Sequence, residues 1–228
     1  RKGDWWYYTR TVEGKQYGIQ ARAPYVQGED TPPATENGAA LPGEQVLLDQ
    51  NEVAGDSEFF SLGTFDVSPD GRRLAYSTDH VGNERFVLRV KDLETDEALA
   101  DEIPDTFYGS AWSRDGSLLF YQTVDDAWRP YRVWRHMVGM PATDDVIVYQ
   151  EDDERFWVGV DLTRSERFIL IEAGSKITSE VRVLDADDPT GEPRLVAPRR
   201  QGVEYSVEHQ GNRFLVLHND GAEDFELA

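Results

Sequence analysis

Phe65-Asp-Val-Ser-Pro-Asp-Gly-Arg-Arg-Leu-Ala-Tyr-Ser77 is echoed further along by Ser110-Ala-Trp-Ser-Arg-Asp-Gly-Ser-Leu-Leu-Phe-Tyr-Gln122. In each stretch an Asp-Gly pair joins two short apolar runs. That is a strong hairpin signal, because Asp and Gly accept the positive φ that a tight turn imposes. Asp70-Gly71 and Asp115-Gly116 stand 45 residues apart. Weaker echoes run from Val160 through Thr163-Arg-Ser-Glu166 to Glu172, and from Tyr205 through Gln210-Gly-Asn212 to His218. Both lack Asp-Gly, so their turns are expected to use other geometries.

A third run follows each hairpin. Phe86, Leu88 and Val90 alternate with Val87, Arg89 and Lys91, the period-two pattern of a strand with one buried face. Residues 131–136 and 180–185 hold the equivalent places. A short fourth run follows at 97–100, 145–149 and 194–197. Four strands in 45–50 residues is the period of a propeller blade. A β-sandwich also brings a strand every 8–12 residues, but the constant four-strand period and the recurring turn favour blades. No segment shows helical periodicity with caps. The expectation is an all-β chain, a partial β-propeller with blades at about 1–48, 59–100, 108–149, 156–197 and 203–228. The first and last blades read as incomplete: 4–10, 17–23 and 45–48 look like second, third and fourth strands, and a third strand begins at 225–228. Open blade edges would invite self-association.

Composition narrows the function. Among 228 residues, six Trp, ten Tyr and ten Phe favour packed strands over disorder. There is no cysteine, which excludes disulfides and thiolate metal sites and fits a reducing compartment. No apolar run reaches the ~20 residues of a membrane helix, and the start, Arg1-Lys2-Gly3-Asp4, has no signal-peptide core. The net charge of −21 argues against nucleic acid and would draw cationic ligands from a distance; the plainer use of such acidity is solubility.

Longer strings point to a family. Tyr131-Arg-Val-Trp-Arg-His136 followed by Gly139-Met-Pro-Ala-Thr-Asp144 resembles the third-strand and turn signature of the prolyl oligopeptidase family. Thr178-Ser-Glu-Val-Arg182 with Leu184-Asp-Ala186, Ser57-Glu-Phe-Phe60, Gln150-Glu-Asp-Asp-Glu154 and Pro198-Arg-Arg200 resemble its oligopeptidase B branch. The resemblance implies a seven-bladed propeller over an α/β-hydrolase domain of the same polypeptide. That domain carries a Ser, Asp and His triad in a cytoplasmic serine peptidase, and the propeller restricts access to short peptides. The branch implies cleavage after Arg or Lys, so short basic peptides are the implied substrates.

No catalytic residue is assigned within the chain. A Gly-x-Ser-x-Gly elbow is missing: Gly55-Asp-Ser-Glu-Phe59 and Tyr108-Gly-Ser-Ala-Trp112 lack the second Gly. His80, His136, His209 and His218 belong to no recognisable triad or metal motif, so no metal or cofactor is expected. Trp112, Trp134 and the Trp5-Trp6-Tyr7-Tyr8 cluster are read as packing between blades.

In an up-and-down blade, the one-to-two and three-to-four turns share one face. The two-to-three turns and the blade connectors share the other. Loops 49–58, 78–85, 101–106, 123–129 and 150–155 fall on this second face and are strongly acidic. Glu84 and Glu102 are the candidates for interdomain pairs or for steering cationic peptides, with Arg85, Arg199 and Arg200 as counterweights. Two other readings remain open from sequence: a non-catalytic propeller that binds peptides or proteins, and the propeller of a prolyl-specific oligopeptidase.

Overall fold

The computed structural model describes every residue except 29–30, 32–33 and 35–37. The chain divides into two compact units, Arg1–Ser61 with His80–Gly82, and Leu62–Asp79 with Asn83–Ala228.

The smaller unit is built on an antiparallel sheet of β1 (Trp5–Arg10), β2 (Ile19–Pro24) and β3 (Gln45–Asp49). Large aromatics of β1 face small residues of β2: Trp6 pairs with Ala23 and Tyr8 with Ala21. Both alanines are buried, so the rings lie over them without crowding. A single helical turn, α1 (Gln50–Ala54), follows β3, where the sequence reading has a plain loop. Its cause is local: the Asp49 carboxylate caps it by accepting from Asn51 N at 2.9 Å, and Gly55 ends it at positive φ.

The larger unit is a series of antiparallel meanders. β4 (Ser61–Val67), β5 (Arg73–Asp79), β6 (Phe86–Asp92), β7 (Ala98–Trp112), β8 (Leu118–Val124), β9 (Pro130–Met137) and β10 (Val146–Gln150) follow one another in a seven-stranded sheet. β11 (Trp157–Leu162), β12 (Phe168–Gly174), β13 (Ser179–Asp185) and β14 (Arg194–Leu195) form a second sheet, and β15 (Tyr205–Gln210), β16 (Arg213–His218) and β17 (Glu226–Leu227) a third. β7 serves two blades. Its first part pairs with β6, its second with β8, and Thr106 has partners on both.

The loop expected at 101–106 is therefore strand. The segment alternates, with Asp101 and Ile103 buried and Glu102 exposed. The pattern is hard to see in sequence because an aspartate takes an inward place that a hydrophobe would have advertised.

Successive sheets pack face to face, as blades of a β-propeller do. Leu119 and Tyr121 of β8 point to one side and join Ala75, Leu88, Val90, Ile103 and Trp112. Their neighbours Leu118 and Phe120 point to the other and join Val158, Val160, Ile169 and Ile171 of the following sheet. Phe168, Leu170, Val181 and Val183 in turn meet Tyr205 and Val207 of the last one. A strand buried on both faces loses the simple inside–outside alternation, which is why β8 reads as a continuous apolar run. Trp112 is fully buried in this packing and donates its indole N–H to the Asp66 carbonyl at 3.1 Å.

The Asp-Gly turns are built alike. The Ser68 and Ser113 hydroxyls donate to Asp70 Oδ1 and Asp115 Oδ1, and accept from the N–H of Arg73 and Leu118. Gly71 and Gly116 stand at φ 72° and 66°. The turn after β11 was expected to differ, but it repeats the same frame. Thr163 Oγ1 contacts Ser165 Oγ at 3.0 Å and accepts from Phe168 N at 3.1 Å, while Glu166 takes the glycine place at φ 57°. Hydroxyls replace the serine–aspartate pair, and a non-glycine residue accepts the left-handed conformation at some cost. The β15–β16 turn does differ, being a tight Gly211-Asn212 loop closed by the Gln210–Arg213 pair.

Candidate functional site at the loop face

The two-to-three turns and the blade connectors of the larger unit meet one another through side chains that reach from blade to blade. Arg129, in the β8–β9 turn, pairs with Asp125 at 2.9 Å. Its Nη1 donates to the carbonyls of Glu151, Asp153 and Phe156, each at 3.2 Å. One guanidinium thus ties that turn to the β10–β11 connector. Trp128 donates from its indole N–H to the Asn83 carbonyl at 2.7 Å, and Arg85 lies 4.7 Å from the centre of its ring. Arg85 also donates to the Asp125 carbonyl at 3.2 Å and approaches Asp105 at 3.7 Å.

Arg199 joins two connectors. Its guanidinium pairs with Glu151 and, at 3.3 Å, with Glu180, and lies 3.9 Å from the centre of the Phe156 ring. Tyr149 donates to Glu151 Oε2 at 2.8 Å. Burial alone would raise the Glu151 carboxyl, but the bonds from Arg199, Asp153 N–H and Tyr149 hold it below the usual range. Burial and the Glu151 bond push the Tyr149 hydroxyl up to about 12. Beside this clamp lies a concavity of about 550 Å³ whose lining includes Arg155, Phe156, Lys176, Ile177 and Arg199. Arg155 itself is held by Asp153, whose carboxyl that bond lowers to about 2.

Among the expected site residues, Arg85 and Arg199 stand on this face as above, and Arg200 pairs with Asp220. Glu84 stands in the β5–β6 turn at φ 56°, its N–H bonded to Asp79 Oδ2 at 2.8 Å. Its exposed carboxylate makes no ion pair among the described residues. Glu102 lies on β7 instead of a loop and pairs across the ladder with Arg89 at 3.3 Å. The structure does not bring Glu84, Glu102, Arg85, Arg199 and Arg200 into a single cluster of contacts. Arg129 and Glu180 went unnoticed in the sequence. Arg129 has a near partner in Asp125 and Glu180 one in Arg182, but the partners that tie them to other segments lie 19 to 27 positions away.

Asp101, counted from sequence among the acidic loop residues, is buried against His136. His136 is fully enclosed: Nε2 donates to Asp101 Oδ1 at 2.8 Å and Nδ1 to Asp145 Oδ1 at 2.7 Å. Tyr121 donates to the other Asp145 oxygen at 2.8 Å. Burial works against the imidazolium, but hydrogen bonds to two carboxylates outweigh it and push the ring up to about 9. With no access to solvent, this group holds strands together. Two serine–histidine contacts also occur, Ser57–His80 and Ser165–His209, both at 2.9 Å. Among the described residues no carboxylate bonds to the other ring nitrogen of either histidine, so neither has the third member of a triad.

The profile described as prolyl oligopeptidase, N-terminal beta-propeller domain, matches residues 1–228. The chain belongs to the prolyl oligopeptidase family. Within that family it is similar to dipeptidyl aminopeptidase BI of Pseudoxanthomonas mexicana, 38% identical over 231 residues, and to protease 2 of Moraxella lacunata, 37% identical over 227. These alignments cover 100% and 99% of this chain, and the chain spans about a third of each relative, 32% in both cases. Oligopeptidase B from Leishmania major superposes on the whole chain with a TM-score of 0.87 at 29% identity, over 31% of its own length. The oligopeptidase B branch suggested by the strings at 57–60, 150–154, 178–186 and 198–200 is the branch of these matches.

Proposed function

We propose that this prolyl oligopeptidase-family propeller is the substrate-gating part of a cytoplasmic serine peptidase that cuts short peptides after Arg or Lys. The catalytic Ser, Asp and His lie in an α/β-hydrolase domain of the same polypeptide. Acyl transfer takes place there, and the propeller contributes access control and charge. One observation carries the steering role: Glu84, Asp126 and Glu154 are exposed on the loop face and make no ion pair among the described residues. Free carboxylates on a chain of charge −21 raise the local concentration of cationic peptides. Arg85, Arg199 and Arg200 already have partners within the chain, so they shape the loops, and Glu84 is the candidate for an interdomain pair. Glu102, held by Arg89 in an exposed pair of small energy, can exchange that partner.

Full-length protein assayed on Arg-, Lys- and Pro-containing reporters tests the specificity; preference for Pro would replace the basic reading. Glu84→Lys with Glu102→Lys tests the steering. The KM for a dibasic peptide is expected to rise and its salt dependence to weaken. Unchanged values would remove both residues from the account. The similarity to a dipeptidyl aminopeptidase supports a second reading, release of dipeptides from a free amino terminus. Blocking the peptide's amino terminus would abolish that activity and spare an internal cut.

A further inference from the structure

A second concavity, of about 440 Å³, lies where the third, fourth and fifth blades meet around the first strand of the fourth. It is a product of the repeat. Counted from the first residue of the β-turn (Ser113 in one blade, Thr163 in the next), Phe107 and Trp157 hold the same place, and so do Gln122 and Glu172. All four line the hollow. In the second blade the corresponding positions are Leu62 and Ser77, and Thr64 stands where the fourth blade has Gly159; there the Ser77 hydroxyl accepts from Thr64 N at 2.7 Å and Thr64 itself is buried. In the fourth blade Gly159 and Gly174 leave the floor open, since a Cβ on either would meet no atom within 4 Å.

Two of these positions, Gln122 and Glu172, carry acceptor oxygens. Gln122 is buried and donates from Nε2 to the Tyr108 carbonyl. Because that carbonyl can only accept, the orientation of the amide is fixed, leaving Oε1 as a buried acceptor without a partner. Glu172 is the charged side chain in the lining. Its side chain keeps exposed surface, while the protein around it and Asp161 hold its carboxyl above the ordinary value, which a neighbouring cation would offset. Trp157, about half exposed at 53%, offers its ring at the rim, and an indole face attracts cations.

We propose that this hollow binds one cationic group of a peptide, a lysine or arginine side chain or a free amino terminus, between Glu172 and the Trp157 ring. This deepens and rests on the reading of the protein as a peptidase for basic peptides, and it gives the incoming charge a place to dock.

The test measures binding by calorimetry on the full-length protein. The probes are two octapeptides that differ by lysine or norleucine at one position, N-methylated there to resist cleavage. Each is made with a free and with an acetylated amino terminus, which separates side-chain from terminal ammonium. The variants are Glu172→Gln and Gly159→Leu; the second fills the hollow from an extended strand position with room for a side chain. The lysine-over-norleucine affinity ratio, or the free-over-acetylated ratio, is expected to fall by about tenfold in both variants. Affinity for the acetylated norleucine peptide stays constant and serves as the control for folding. Both ratios unmoved in the two variants would overturn the proposal. Hydrolysis is not the readout. A protein that cuts no peptide but shows the ratio change contradicts the proposed function and leaves the pocket standing, while an active peptidase with unmoved ratios contradicts the pocket alone.

Discussion

Two clusters of charge in the larger unit share one plan. In each, a cation sits between two carboxylates and a tyrosine donates to one of them. One is Asp101–His136–Asp145 with Tyr121; the other is Glu151–Arg199–Glu180 with Tyr149. They differ in access to water, since the His136 side chain is 0% exposed and that of Arg199 is 25%. They differ also in the cation. Arg199 carries its charge throughout the accessible pH range, while His136 must hold a proton inside the fold. The first cluster fixes β7 to β9 and the approach to β10 within one sheet; the second ties connectors of different blades at the loop face. The same arrangement of charges therefore makes a rivet in the interior whose cation titrates at alkaline pH and a clamp at the rim whose cation does not.

Removing the cation should expose the difference most strongly. His136→Leu leaves two buried carboxylates facing each other, and a loss of about 3–5 kcal/mol is expected in urea unfolding. A loss below ~1 kcal/mol would mean that the carboxylates simply take up protons and the cluster contributes little.

The alkaline response comes next. His136 has a folded value of about 9, above the ~6.5 of an unfolded histidine. Its contribution is fully present below pH ~6.5 and is lost as pH rises through about 9, for a total of order 3 kcal/mol. The Arg199 cluster should show no such loss over that range. On the acid side the two behave alike. Asp101 and Glu151 are both held below the ordinary carboxylate range against the opposing effect of burial, so each contribution is present above the unfolded value and disappears as pH falls through the depressed one. Urea midpoints measured from pH 6 to 10 for the unaltered chain and for His136→Leu isolate the effect, since the variant should lose the slope.

Arg199→Met is expected to cost about 2 kcal/mol, less than the His136 change, because water can reach the carboxylates it abandons. The same urea measurement reads it. A cost equal to that of His136→Leu would erase the distinction between rim and interior. The smallest effects belong to the tyrosines: Tyr121→Phe about 1 kcal/mol, and Tyr149→Phe less, since its acceptor keeps Arg199 and the Asp153 N–H. The reverse order would place the more isolated hydrogen bond at the loop face.

The clusters also mark how far sequence reading reaches. The Asp70-Gly71 and Asp115-Gly116 turns were legible because their chemistry is local: two or three consecutive residues supply both the special backbone conformation and the bonds that hold it. The turn at Thr163 was misread because hydroxyls and Glu166 do the same work without the signature pair. The loop face was legible as acidic loops, but Asp101 was misplaced among them, because a charge turned inward looks the same in sequence as one turned to water. Neither the bonds from Arg129 to the β10–β11 connector nor the open hollow beneath Trp157 left a trace in local pattern, since both depend on which blades become neighbours.

By itself, then, the sequence determined an all-β propeller, most of its strands, the two Asp-Gly turns and the family. All of these follow from short-range periodicity and from residues that act on their immediate neighbours. Tertiary structure alone decided which charges are buried, that His136 stands between Asp101 and Asp145, that β7 runs unbroken between blades, and that Gln122 and Glu172 open onto one hollow. These depend on contacts between residues far apart in the chain, and burial, which sets the strength of every charge, exists only once the sheets have stacked.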